Sequence, residues 1–144
     1  MSYEFEKLME ERRIVKSKIS SEMIKVELKS ASYDLEKAKL SYGEGDYKWA
    51  TIKAYYSIFH GIRALVYSKG YREKSHYALK IAFKELFIDS GEIERKYYRN
   101  FEDAMDLRES ADYMSEYSEG GANDAIENAE ETLEKIRTIL NRWD

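Results

Sequence analysis

The sequence predicts an all-α protein, an up-and-down bundle of four to five helices. Three observations point there. No proline occurs in 144 residues, charged side chains make up 36% of the chain, and apolar residues recur at three- and four-residue spacing instead of alternating. Proline is the residue that most reliably breaks a helix, and a period near 3.6 is the mark of an amphipathic one. Residues 1–19, charged throughout, are expected to form a leading helix or arm, and residues 20–144 the bundle itself.

Within residues 3–18 the apolar positions are few, so a short polar helix is expected there. From Ser20, Met23, Val26, Ala31, Leu35, Ala38 and Tyr42 fall mainly on one helical face, and Gly43 and Gly45 provide the stop. Asp46 is placed to cap the next helix, which runs to Gly70. Its row Trp49, Ile52, Tyr56, Phe59 and Arg63 is widened by Tyr55, Ile58, Ile62, Leu65 and Val66, so this helix should be central and most buried. Ser75 is placed to cap a third helix with Leu79, Ala82, Phe83 and Leu86 inward. Asp89 with Glu92, and Asp124 with Glu127, have the spacing of capping boxes before a fourth and a fifth helix. The fifth carries an inward stripe of Ala125, Ala129, Leu133, Ile136 and Leu140 and is expected to reach residue 144. No segment alternates long enough to predict a strand.

Composition narrows the function. There is no cysteine, which removes disulfides and thiolate metal sites. Residues 1–20 lack the apolar core of a signal peptide, and no apolar run nears the roughly 20 residues needed to cross a bilayer. A cytoplasmic protein without membrane contact is expected. With 24 basic against 28 acidic residues the net charge is −4, which argues against a general nucleic-acid coat protein, because such binding draws its affinity from neutralised phosphates.

Three stretches carry a resemblance: Ala54-Tyr55-Tyr56-Ser57-Ile58-Phe59-His60 running on to Arg63-Ala64-Leu65; Lys69-Gly70-Tyr71-Arg72-Glu73-Lys74-Ser75-His76; and Asp106-Leu107-Arg108-Glu109-Ser110-Ala111-Asp112-Tyr113. In this order and spacing they resemble the HEPN domains of small bacterial and archaeal proteins, over roughly residues 20–140. The resemblance implies a helical bundle that commonly dimerises. It also implies either a metal-independent endoribonuclease without a cofactor, or the toxin half of a pair with a minimal nucleotidyltransferase antitoxin. Active relatives carry Arg, four to six residues, then His. Here Arg108 matches, Tyr113 stands at the histidine position, and Asp112 precedes it.

Metal-free RNA cleavage needs the 2′-hydroxyl deprotonated, the leaving oxygen protonated and the phosphorane charge stabilised. A guanidinium suits the last task, being permanently charged and able to fork onto phosphate oxygens. Histidine suits proton transfer, and tyrosine, titrating near 10, suits it poorly. Tyr113 is therefore expected to donate a hydrogen bond or to hold Arg108. A displaced histidine is the remaining route: His60 lies one turn before Arg63, and His76 at the start of the third helix. Arg63, Tyr56 and Arg72 are the candidate substrate contacts for RNA or a nucleotide.

Each residue also has a plainer role. Arg108 and Asp112, at i and i+4, make a surface ion pair; Tyr113 packs with its hydroxyl at the rim; His60 is a hydrogen-bonded core histidine; His76 is an exposed cap residue; Tyr55 and Tyr56 fill core and rim. The acidic row Glu102, Asp103, Asp106, Glu109 and Asp112 reads as a solvated face, with no metal site expected. Lys69, Arg72, Lys74, Lys80 and Lys84, interleaved with acids, read as ordinary charged surface. Three functions remain open: a toxin-type ribonuclease or RNA-binding homodimer, a non-enzymatic partner or nucleotide-binding module of a minimal nucleotidyltransferase, and a structural dimerisation bundle.

Overall fold

The computed structural model describes residues 1–141. Among these, six α-helices and one short ribbon follow the order α1 (Tyr3–Glu10), β1 (Ile14–Lys16), α2 (Ser21–Gly43), α3 (Tyr47–Ser68), β2 (Tyr71–Glu73), α4 (His76–Phe83), α5 (Arg95–Tyr113) and α6 (Glu119–Asn141). The all-α class holds. Four long helices, α2, α3, α5 and α6, make the bundle, and two short ones flank it. None of the described helices is long and apolar enough to cross a membrane.

Local sequence explains where most helices start. Ser20, Asp46 and Ser75 each accept a hydrogen bond from the backbone N–H three residues on, at Met23, Trp49 and Ala78, satisfying a donor that the first turn leaves unpaired. Gly45 sits at φ +78°, a left-handed turn that costs glycine little, and lets the chain reverse between α2 and α3.

The central helix is α3, which packs on α2, α5 and α6. Tyr55, Ile58, Ile62, Ala64, Leu65 and Val66 on it are sealed from solvent. Gly61 allows close approach to α6: a Cβ there would lie 2.8 Å from Cδ1 of Ile136. Outside the long helices, Phe5, Leu8 and Ile14 bring the leading segment into the same core.

Several local expectations are corrected. The helix expected over residues 3–18 ends at Glu10, and Arg12 turns the chain at φ +59°. Ile14–Lys16 then pairs antiparallel with Tyr71–Glu73, Val15 opposite Arg72; three residues are too few for alternation to reveal a strand. Asp89 does not cap the fourth helix. It lies after a π-helical turn, Lys84–Ile88, that extends α4, and accepts from Lys84, while α5 starts from Glu94 with no side-chain cap. Asp124 lies inside α6, whose first turn instead has Ser118 Oγ accepting from Gly121 N–H. The expected end of that helix, residues 142–144, falls outside the described residues.

Candidate functional site around Arg108

Arg108 projects from α5 against α3 and is only 6% exposed. Its guanidinium carbon stands 5.0 Å from the ring centre of Tyr55 and 5.5 Å from that of Tyr113, so two aromatic rings lie against it. Nη1 donates to the Tyr113 hydroxyl at 3.3 Å and lies 3.8 Å from Asp112. Nε is buried with no acceptor. An unsatisfied buried donor costs about 1–3 kcal/mol, so the fold carries this cation at a cost that its packing alone does not explain. The i, i+4 ion pair with Asp112 forms, but with a buried arginine and not as a surface pair. Asp112 is at the limit of an ion-pair distance and Arg108 is buried.

Tyr55 ties Arg108 to a histidine. Its hydroxyl is hydrogen-bonded to Nδ1 of His76. Burial, working against the Arg108 charge, pushes that hydroxyl well above the usual phenol range, so it stays protonated at neutral pH. The rings continue the contact. Tyr55 stacks on His76 (5.7 Å, 19°), His76 on Phe59 (4.5 Å, 29°), and the Arg63 guanidinium lies 4.5 Å from the Phe59 ring centre. Arg108, Tyr55, His76, Phe59 and Arg63 therefore form a chain of ring and cation contacts along one face of α3.

His76 is thus half-buried between aromatic rings, not the exposed cap residue expected. A sequence signal existed only in hindsight. Ser75 fixes the start of α4, but the rings that cover His76 lie 17 and 21 residues upstream. His60 goes elsewhere. It contacts α2, with Nδ1 2.5 Å from Glu27 and Nε2 3.6 Å from Asp34. Burial would raise the Glu27 carboxyl, but the His60 hydrogen bond and the Arg63 charge outweigh it and hold it low. Burial raises that of Asp34 against the His60 and Lys53 charges. Arg63 is engaged by Glu73, at 2.9 and 3.2 Å, and by Glu27 at 3.5 Å. Neither Glu73 nor Glu27 is among the site residues that the sequence predicts. Tyr56 is half-buried, edge-on to Tyr55 and Phe59, and Arg72 is exposed on β2, 5.7 Å from the Tyr67 ring. Lys69, Lys80 and Lys84 meet Glu92, Glu102 and Asp89.

Burial, then the charges of Arg108 and Arg63, hold His76 below its ordinary 6.5, against an opposing pull from Glu109. Below 6.5 the unfolded chain takes up a proton that the folded one resists, so this histidine's contribution is full above 6.5 and is lost as pH falls through the folded value. Thermal melts between pH 7.5 and 5 are expected to drop more steeply for the wild type than for His76→Gln. Parallel curves would show that His76 titrates as it does in the unfolded chain.

The sequence model described as the HEPN domain matches residues 24–142. A protein of Methanocaldococcus jannaschii named "Putative toxin MJ0605" is 32% identical over 120 residues, 83% of this chain and 90% of that protein. A second from the same organism, "Putative toxin MJ0142", is 27% identical over 80% of this chain and 75% of its own length. A "UPF0332 protein" of Thermotoga maritima is 26% identical over 74% of this chain and 82% of its own. The crystal structure of TT1696 from Thermus thermophilus superposes with a TM-score of 0.69 over 80% of this chain and 96% of that one. At 18% identity the likeness is one of fold.

Proposed function

This protein belongs to the HEPN family, and from that membership we propose that it is a toxin-type RNA-binding protein and metal-independent endoribonuclease, working as a homodimer in the cytoplasm. The observation that carries the reading is the buried, incompletely paired Arg108. A cation held at a cost, beside an imidazole that shares a hydrogen bond with Tyr55, suits a developing negative charge better than it suits packing. Arg108 takes the phosphate. Tyr113, at the position of the motif histidine, holds Arg108 by its hydroxyl. The Tyr55–His76 pair, in which the protonated hydroxyl is hydrogen-bonded to the imidazole, is our candidate route for proton transfer. His60, committed to Glu27 and Asp34, is not. Arg63, Tyr56 and Arg72 flank this face as the wider RNA contact. Val26, Tyr33 and Leu40, exposed at seven-residue spacing along α2, offer a seam for the second copy.

The toxin names of two relatives support the role and imply an antitoxin partner, for which a minimal nucleotidyltransferase is our candidate. The test is incubation of metal-free dimer from gel filtration with mixed tRNA and mRNA fragments, beside Arg108→Ala. Cleavage lost in the variant is the expected result, with growth inhibition lost in parallel. No cleavage by either protein would sink the ribonuclease. It would favour a binding module for the nucleotidyltransferase or its nucleotide, a reading motivated by the tyrosine that replaces the motif histidine.

A further inference from the structure

Arg108 is nearly sealed, yet the residue beside it is the most exposed aromatic of the bundle's long helices. Tyr113 ends α5 with 73% of its surface in solvent. It is held over the guanidinium by one hydrogen bond of 3.3 Å and one ring contact. Its hydroxyl and the Asp112 carboxylate both address Nη1. The Nε–H is buried and without an acceptor, so the guanidinium stays incompletely paired even with the tyrosine in place.

We infer that Arg108 is a masked oxyanion site, that Tyr113 is the lid over it, and that a phosphate group opens it by displacing the tyrosine. That the anion is the phosphate of a nucleic acid rests on the function proposed above; the masking does not. The energetics run in the required direction. A bond from Nη1 to an uncharged hydroxyl and a ring contact are exchanged for bonds between the guanidinium and an anion, in which both partners carry charge. Moving the lid disturbs little, since a mostly exposed ring at a helix end turns away by side-chain rotation without unpacking the core.

The lid makes a prediction opposite in sign to that for a residue that only contacts substrate. Full-length protein is treated with phenylglyoxal, which modifies accessible guanidinium groups, and modification is mapped by mass spectrometry with exposed Arg99 as internal reference. In the wild type Arg108 should react far more slowly than Arg99. In Tyr113→Ala its rate should rise toward that of Arg99, and in Tyr113→Phe, which loses only the hydroxyl, it should fall between. Unchanged Arg108 reactivity in Tyr113→Ala, or wild-type Arg108 as reactive as Arg99, overturns the lid. A single-stranded RNA oligonucleotide should bind Tyr113→Ala more tightly than wild type. Weaker binding with Arg108 unmasked overturns the opening step, because Tyr113 would then be a contact. Absence of RNA binding by every protein, with Arg108 unmasked in Tyr113→Ala, leaves the masked site standing and removes the nucleic-acid reading instead.

Discussion

Arg108→Met is expected to leave the fold as stable as the wild type, or to raise its Tm, while lowering RNA cleavage by on the order of 10²–10³ in rate, the loss typical when a charge-stabilising donor is removed from an active site. Stability and activity should separate because the arginine's surroundings are already those of an apolar side chain. Its guanidinium lies between Tyr55 and Tyr113, Nε has no acceptor, and the nearest carboxylate is 3.8 Å away. Methionine keeps an unbranched stem, places sulfur near the rings, and removes the cost of a poorly paired buried cation. Freed of its donor, the Tyr113 hydroxyl is exposed enough to turn to water. Calorimetry on the two proteins decides the point. A variant destabilised by more than about 2 kcal/mol would make Arg108 a structural tie, since breaking a well-paired buried charge costs about 3–5 kcal/mol, and the structural-bundle reading would then gain.

Phe101→Ala is expected to cost about 3–5 kcal/mol, the range for emptying a buried aromatic site. At about 2–4 °C per kcal/mol for a chain of this size, the melting temperature should fall by roughly 10 °C. Phe101 is wholly buried, stacks on Tyr55 at 6.1 Å and 17°, and meets Phe83 edge-on. It joins α5, α3 and α4 at the point where the site is built. Removing it also takes away a ring that backs Tyr55, so the hydrogen bond to His76 should loosen with the core. Urea unfolding measures the first effect. A loss below about 1 kcal/mol would mean that neighbouring rings close the cavity.

The bundle was legible because its signals are local. The apolar girth of α3 marks the buried helix, and Ser20, Asp46 and Ser75 have hydroxyl or carboxylate groups where a first turn lacks acceptors. The misreadings share a cause as well. Asp89–Glu92 and Asp124–Glu127 have capping spacing, yet a π-helical turn and an earlier helix start took precedence, and spacing alone does not weigh such competitors. At the site, the Arg108–Tyr113 contact is written in one turn of α5 and could be read there. The choice between His60 and His76 could not. His60 shares a face with Arg63, but that face turns toward the carboxylates of α2. His76 gains its neighbours only when α4 folds back onto α3.

The ribbon between β1 and β2 follows from the lengths of α2 and α3. Helices of 23 and 22 residues, joined by a tight reversal, return the chain to the level at which it set out, so Ile14–Lys16 meets Tyr71–Glu73 with little slack. For a free chain, closing a loop of that size costs roughly 3–4 kcal/mol of entropy. Once the helical hairpin has formed, most of that cost has been met. The leading arm therefore docks onto the formed hairpin at little further cost in chain entropy, and the ribbon is what its detachment would break. Detachment bares the strand that carries Glu73, the carboxylate gripping Arg63, so fraying at one end of the molecule reaches the charged face of α3 through a single short strand.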